Sequence, residues 1–453
     1  MAGTREYDVI IVGSGPAGIF AAIEMVEKGP EGLRILIIEQ GADLGERDRS
    51  DILRGWGGSG AYSDGKLNLS PDVGGNLADL MPVSELEGLI RYVDGIYQRF
   101  GASGFVYGEE ADRVARIRRT AALAHLKLVV SGIRHIGTEN CFHLLRNIRE
   151  ELDGKFETRF NAPVRSILVE GGRVTGVAAE DGEYRAPVVI VAPGRVGSKW
   201  LAGEAVRLCL KRDNNPVDIG VRVEVPAAVT EELTESLYES KFIYSSRSFD
   251  DTVRTFCMCP YGEVVVEQID DIRTVNGHSY SSKKSENTNF AILVSTRFTK
   301  PFREPIAYGR SIASLANMLG DDVIVQRLGD LHAGRRSTPS RIAKSVVAPT
   351  LSSAVPGDLS FVLPYRYLKG ILEMLEALDR VAPGINSPHT LLYGVEVKFY
   401  SSRLELKPNL ETEIAGLYAV GDGAGITRGL VQASVSGVVA ARDILKKQVA
   451  SSE

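Results

Sequence analysis

Three glycines near the N-terminus have the spacing that lets a backbone turn approach a phosphate. Gly13, Gly15 and Gly18 form a Gly-x-Gly-x-x-Gly pattern, and the acidic Glu39 follows about 20 residues later. In this pattern the first glycine allows a tight turn, the second lets the backbone approach a pyrophosphate, and the third lets a helix pack on a strand. A carboxylate at Glu39 can accept hydrogen bonds from ribose hydroxyls and would repel a 2′-phosphate. The pattern therefore predicts a site for NAD or FAD rather than NADP.

A second motif with cofactor chemistry lies near the C-terminus. The run from Gly416 to Val420 reads as a buried strand, and Gly421 and Asp422 follow it directly. This text resembles the second fingerprint of FAD-binding proteins, in which the aspartate holds the ribityl chain and the glycine lets backbone and cofactor come close. A domain that binds only NAD has no use for an acid at this place. The two motifs together therefore predict FAD.

Short apolar runs, typical of buried strands, alternate with helical periodicity on both sides of these motifs. Ile19 to Lys28 reads as the helix that follows the first motif, and residues 431 to 447 read as a terminal helix. The predicted strands of this region are Tyr7 to Val12, Leu33 to Ile38, a hairpin over Val164 to Ala179, Val188 to Ala192, and Gly416 to Val420.

The rest of the chain has a different pattern. Residues 84 to 153 read as mainly helical, whereas 217 to 300 contains many short strand-like runs, which indicates a mostly antiparallel second domain. The hydrophilic segment from Ser279 to Asn289 reads as an exposed loop, and Leu368 to Arg380 reads as a helix. The predicted fold class is therefore α/β: a Rossmann-like three-layer FAD-binding domain with an inserted, mainly antiparallel β substrate domain.

The expected boundaries follow from these patterns. The discontinuous FAD-binding domain is assigned to residues 1–80, 155–205 and 385–453, with a helical insertion at 81–154 and a substrate or cap domain at 206–384. A chain of 453 residues exceeds the size at which one hydrophobic core keeps growing, so more than one domain is expected.

Charge and cysteine content narrow the possible partners. The net charge is −5 and no dense Lys/Arg stripe occurs, so a nucleic-acid partner is not expected. The four cysteines form neither a disulfide framework nor a metal-ligand pattern, which indicates a reducing, cytoplasmic location. No apolar run approaches the roughly 20 residues that span a bilayer, and the N-terminus has no signal-peptide apolar region. We expect no metal and no transmembrane segment.

The candidate catalytic residues are few. Cys257 and Cys259 flank Met258 in a predicted strand, where period-2 alternation would place both sulfurs on one face. A redox dithiol is one interpretation, but buried cysteine packing is favoured, because neighbours within one strand are poorly spaced for an unstrained disulfide. Lys66 and His278 complete the candidates.

At family level the sequence resembles the uncharacterised FAD-dependent dehydrogenases, within the broad flavoprotein group that includes glutathione reductase and p-hydroxybenzoate hydroxylase. Tyr261 and His278 depart from the family pattern. The motifs that carry the resemblance are GWGGSGAYSDGKLN at 55–68, VIVAPGRVGSKWL at 189–201, TFCMCPYGEVV at 255–265, VNGHS at 275–279, and the C-terminal GLYAVGDGAG.

The resemblance implies which residues contact FAD. The glycine-rich loop, residues 55–68, would lie along the pyrophosphate and flavin ring, and the helix that begins after Gly429 would point its N-terminal dipole at flavin N1 and the C2 carbonyl. Lys66 is a further candidate contact in that loop. The residues expected to bind FAD are Gly13, Ser14, Gly15, Pro16, Ala17, Gly18, Glu39, Gln40, Gly60, Ser63, Val164, Gly194, Gly421, Asp422, Gly429, Leu430 and Val431.

The expected activity is hydride transfer between FAD and a small organic substrate. No second Gly-x-Gly-x-x-Gly opens a helix after a strand, so NADH or NADPH would bind transiently, or an electron-carrier protein would replace it. A flavin-dependent monooxygenase is the alternative. A flavin-bound tRNA-modification or interaction protein is a second alternative, which the acidic charge balance disfavours.

Overall fold

The chain forms two compact units in a computed structural model that describes residues 5–47, 52–63, 65–213, 216–269, 271–280, 283–296, 304–320, 322–399 and 403–452. The first unit comprises Met1–Phe105, Arg134–Asn214 and Ser401–Glu453, and the second comprises Val106–Ile133 and Asn215–Tyr400. This division differs from the expected boundaries at 81–154 and 385–453. Most of 81–154 packs in the first unit, whereas 385–400 belongs to the second because its strand pairs there.

A parallel sheet of five strands is the centre of the first unit. Val9–Val12 and Ile35–Ile38 are buried along their whole length, as expected for strands covered on both faces. The strands, in their order across the sheet, are Leu417–Ala419, Val188–Val191, Val9–Val12, Ile35–Ile38 and Glu157–Arg159. The carboxyl ends of these strands therefore lie along one edge, where ligands of such sheets bind.

A small second sheet of the first unit contains the predicted hairpin. Val164–Glu170 pairs antiparallel with Arg173–Ala179, and Gly171 and Gly172 between them both have positive φ. Gly182–Arg185 adds a third antiparallel strand, and Arg5–Glu6 pairs parallel to it. The remaining short strands of this unit are Lys66–Asn68, Ile133–His135, Arg212–Asp213 and Arg403–Leu404.

Five helices are found among the described residues of the first unit. The first helix, Pro16–Lys28, packs against the last helix, Leu430–Ser452. Approach is close because Gly437 has no side chain: a Cβ there would lie 2.0 Å from the carbonyl oxygen of Ala17. The other helices are Val83–Arg99, Thr138–Glu151 and Ser198–Arg207, and the short 3₁₀ turns are Leu44–Glu46, Gly58–Tyr62, Leu77–Asp79 and Asp422–Ala424.

An eight-stranded sheet is the centre of the second unit, and among the described residues only its edge pair is parallel. The mostly antiparallel architecture is the predicted one. The strands, in order, are Val355–Pro356, Ile324–Arg327, Leu391–Lys398, Val217–Pro226, Asn287–Thr296, Thr252–Cys259, Lys241–Ser245 and Leu126–Val129. The helices of this unit are Ala111–Leu123, Ala227–Leu237, Pro305–Gly320, Leu328–His332, Pro339–Ile342 and Tyr365–Leu378, with a 3₁₀ turn at Leu359–Phe361.

One prediction from the sequence is wrong in this unit. The segment Ser279 to Asn289 is not wholly an exposed loop, because Asn287–Asn289 begins a buried strand; Ser281 and Ser282 lie outside the described residues. Residues 84 to 153 are mainly helical, as the sequence predicts, through Val83–Arg99, Ala111–Leu123 and Thr138–Glu151, and Leu126–Val129 pairs at the edge of the eight-stranded sheet. The strand that begins at Asn287 is not predicted, because its first residues are polar and their partners are buried polar groups.

Gly437→Ala tests the close helix packing. The new methyl group would overlap the Ala17 carbonyl, so we expect a loss of about 1–3 kcal/mol in the free energy of unfolding. Gly88→Ala is the matched control, because it lies in helix Val83–Arg99 with no atom within 4 Å of its Cβ position. The control should be neutral or stabilising by up to about 1 kcal/mol in denaturant titrations. Equal stability of the two variants would contradict the packing argument.

Candidate cofactor-binding site

The first glycine motif forms a turn at the carboxyl edge of the parallel sheet. A Cβ on Gly13 would lie 2.3 Å from the Ala192 carbonyl oxygen, and one on Gly18 would lie 2.0 Å from that of Gly13. Gly15 differs, because no atom lies within 4 Å of its Cβ position. Gly13 and Gly18 are thus required by protein packing, whereas Gly15 leaves open space beside its backbone. In the dinucleotide-binding pattern, the second glycine is the one whose backbone a pyrophosphate approaches.

The start of the first helix fits an anion. Gly15 is its N-cap and no side chain caps it, while Pro16 occupies the first turn. The first N–H groups of a helix lack partners within the helix and lie at its positive dipole end. A phosphate at this position would accept those hydrogen bonds.

Glu39 is buried and accepts four hydrogen bonds from the protein. One carboxylate oxygen receives the Ser14 N–H at 2.8 Å and the Ser14 hydroxyl at 2.9 Å. The other receives the N–H groups of Gly41 and Gly55, both at 2.9 Å. A carboxylate offers about four lone-pair sites. A ribose hydroxyl would therefore replace one of these donors, and the Ser14 hydroxyl is the one that can rotate away.

The glycine-rich loop lies against both the first turn and the last helix. A Cβ on Gly58 would lie 3.2 Å from the Gly15 Cα, and one on Gly60 would lie 3.2 Å from Leu430 Cδ2. Ser63 donates its hydroxyl to the Gly60 carbonyl at 3.1 Å. Lys66 is half-buried in a short strand, and Asp64 lies outside the described residues. The loop thus borders the same open space.

The second motif meets the first one directly. Gly421 has φ +76°, and its Cβ position is 3.1 Å from the Ala17 Cβ. Asp422 accepts the Thr427 hydroxyl at 2.8 Å. Burial raises the pKa of Asp422, while the charge of Arg195 and the Thr427 hydrogen bond oppose that shift. Residues about 400 positions apart in sequence are therefore adjacent.

The remaining residues that were predicted to contact FAD differ in burial and in backbone conformation. Gly194 has φ +61° and abuts Gly423, whose Cβ position is 2.6 Å from the Gly194 carbonyl oxygen. Gly429 has φ +98° and is exposed. Val164 and Gln40 are half-buried, Leu430 is half-buried and Val431 is buried.

Several neighbours of this site were not predicted from the sequence. Gly58 contacts the first turn, and Thr427 and Arg195 act on Asp422. Gly74 and Gly75 both have positive φ and lie against Thr427 and Arg428. In the sequence, the signal for Gly74 and Gly75 was a pair of consecutive glycines shortly after the glycine-rich loop at 55–68.

The candidate catalytic cysteines lie in the second unit, in Thr252–Cys259. The strand pairing shifts register between Phe256 and Cys259, and Cys257 has φ +46°. Met258 and Cys259 are consecutive and both buried, whereas Cys257 is half-buried. A bulge therefore interrupts the strand period at Cys257, while Cys257 and Cys259 both lie within electrostatic range of Arg222. No disulfide joins the described cysteines.

His278 is exposed, and its ring centroid lies 6.3 Å from that of Tyr280. Among the described residues no group of three His, Cys, Asp or Glu side chains is placed to hold a metal ion. In the same residues no helix is long and apolar enough to cross a bilayer.

Asp422→Ala and Glu39→Ala test the cofactor site. Loss of charge-assisted hydrogen bonds worth about 1.5–3 kcal/mol should weaken FAD binding roughly ten- to a hundredfold, measured by titrating the stripped protein with FAD. Glu39→Ala should also lower the melting temperature of the stripped protein, because it leaves three buried N–H groups without their acceptor. Glu31→Ala, at an exposed position, is the control. Unchanged FAD affinity in both variants would contradict the assignment of Glu39 and Asp422 to the FAD site.

The double variant Cys257→Ala with Cys259→Ala tests packing against redox chemistry. Because Cys259 is fully buried, we expect a loss of about 1–2 kcal/mol in stability with near-normal rates of flavin reduction and reoxidation. Cys209→Ala, at an exposed cysteine, is the control for thermal melting. A long-wavelength absorbance on reduction that the double variant lacks would identify a thiolate beside the flavin and overturn the packing interpretation.

Known proteins resemble this chain in sequence and in structure. The chain is 26% identical to an uncharacterised protein of Clostridium beijerinckii, over 98% of this chain and 82% of that one. Among solved structures it is similar to L-proline dehydrogenase from P. horikoshii, with a TM-score of 0.42 and 11% identity over 98% of this chain and 95% of that one. Glycine oxidase from Bacillus cereus gives a TM-score of 0.38 and 14% identity over 98% and 96% of the two chains.

The family comparison covers the second unit. Residues 216–399 match the family described as FAD-dependent protein, C-terminal domain-like. The glycine turn, Asp422 and the helix start in the first unit are suited to the same cofactor. This match covers less than half of the chain and lies within the second unit.

Proposed function

We propose that this FAD-dependent oxidoreductase transfers hydride between its flavin and a small organic substrate. The observation that carries the proposal is the open space beside Gly15, at an uncapped helix start and next to the Gly421 motif. FAD supplies the hydride chemistry, while the protein binds it, orients it and excludes competing reactions.

Each part of the site has a distinct task in this proposal. The N–H groups at the start of the first helix bind the pyrophosphate, and Glu39 and Asp422 accept hydrogen bonds from the ribose and ribityl hydroxyls. The start of the last helix at Leu430 places a positive dipole end beside the flavin, which favours the negative charge of the reduced form.

The electron donor is proposed to bind transiently. A resident nicotinamide domain would need a second parallel sheet with a glycine turn, and the eight-stranded sheet of the second unit is antiparallel in all but one pair of its described strands. NADH, NADPH or an electron-carrier protein would then reach the flavin from solution. Within the cell the proposed location is the cytoplasm.

The purified protein should be yellow and release intact FAD on denaturation. Anaerobic addition of NADH, NADPH or dithionite should bleach the flavin, and the effective donor identifies the electron source. On rapid mixing with oxygen the reduced flavin should reoxidise slowly, without a transient C4a-hydroperoxide absorbance. That transient, followed by labelled oxygen in a product, would instead establish a monooxygenase. A protein that binds no FAD at all would refute the proposed function.

A further inference from the structure

A loop outside the predicted site lies along the start of the last helix. This loop, residues 70–76, forms a short antiparallel bridge in which Gly75 faces Thr427. The Arg428 N–H donates to the Gly74 carbonyl at 2.6 Å, and the Asn76 N–H donates to the Ile426 carbonyl at 2.8 Å. The loop is thereby joined to the segment that connects Asp422 with the last helix.

Gln432, in the first turn of the last helix, holds the same loop through its side chain. It is 1% exposed. Its Nε2 donates to the Val73 carbonyl at 2.9 Å and to the Pro71 carbonyl at 3.2 Å. Two carbonyl acceptors fix the orientation of the amide, because the reversed amide would place its own oxygen against both.

This amide carries a penalty that an apolar side chain would avoid. The Gln432 Oε1 is buried and accepts no hydrogen bond from the described residues. A buried acceptor without a donor destabilises the folded chain. The benefit of glutamine here is therefore the pair of bonds to the loop, and these bonds set the position of Val73 and the glycines after it.

The loop places two glycine amides near the helix start. Gly74 and Gly75 have φ +103° and +144°, and a Cβ on Gly75 would lie 2.6 Å from the Thr427 Cα. Among the hydrogen bonds between described residues, none is donated by the N–H of Gly74 or Gly75. A backbone N–H group without an acceptor in the protein can donate a hydrogen bond to a negatively charged group.

We propose that Gln432 is a positioning residue: it holds the N–H groups of Gly74 and Gly75 beside the start of the last helix, where they favour the negative charge that the flavin gains on reduction. The inference rests on the proposed function and extends it to residues that the glycine motifs do not include. Fixed donors stabilise developing charge more than mobile ones, because they need no reorganisation. Loosening the loop should therefore lower the reduction potential of the flavin more than it alters the binding of oxidised FAD.

Gln432→Met tests this role, because methionine fills a similar volume and cannot donate to Pro71 or Val73. The readout is the midpoint potential of bound FAD, measured by equilibration with a reference dye, together with the affinity of the stripped protein for oxidised FAD. We expect about a tenfold fall in the ratio of reduced to oxidised flavin at a fixed potential, which is about 30 mV for a two-electron couple. Gln98→Met, which removes a single surface bond to Asp94, is the control and should keep the wild-type potential.

The outcomes separate the inference from the proposed function. A wild-type protein without FAD refutes both, whereas a yellow wild-type protein with an unshifted Gln432→Met potential overturns only the inference. Equal weakening of oxidised and reduced FAD binding also overturns it, because packing alone would then explain the residue. If Gln432→Met does not fold, Gly75→Ala replaces it, since its methyl group would push the loop away from Thr427 and should lower the potential in the same way.

Discussion

The close approach of three backbone segments around Ala17 is the constraint on which the cofactor site depends. The Ala17 carbonyl faces Gly437 of the last helix, and its methyl group faces Gly421 of the second motif. Any side chain at those glycines would push the last helix and the Asp422 turn away from the first turn. Interhelical spacing thus also fixes the distance between the first glycine turn and the Asp422 turn.

Glu39 also links separate segments of the first unit. Its four hydrogen bonds join the first turn to Gly41 and Gly55, so the glycine-rich loop is held to the parallel sheet through one buried carboxylate. Beside the last helix, Gln432 holds another loop with a neutral amide. Each loop is therefore fixed by a buried polar side chain that comes from a neighbouring element, and both borders of the proposed site depend on such ties.

The second unit contains a fully buried ion pair between Arg222 and Glu396. All five N–H groups of Arg222 donate: two to Glu396, and the others to Asn289, Asn276 and the Cys257 carbonyl. Burial alone would lower the pKa of Arg222, but the charge of Glu396 raises it. This guanidinium therefore has no donor left for a ligand. Its evident task is to join the central strand to its neighbours.

Local chemistry allowed the sequence to predict the elements that frame the proposed cofactor site. The glycine turn, Glu39, the hairpin over 164–179 and the mostly antiparallel character of the second unit depend on short-range rules of backbone space and hydrophobic period, and the structure agrees with them. Only the tertiary structure decided that Asn287–Asn289 is a buried strand, because its polar side chains have buried partners far away in sequence. It also decided that a bulge interrupts the alternation at Cys257, and that Gln432 reaches Val73. These features depend on contacts between residues that can be hundreds of positions apart in the sequence. No local sequence pattern contains that information.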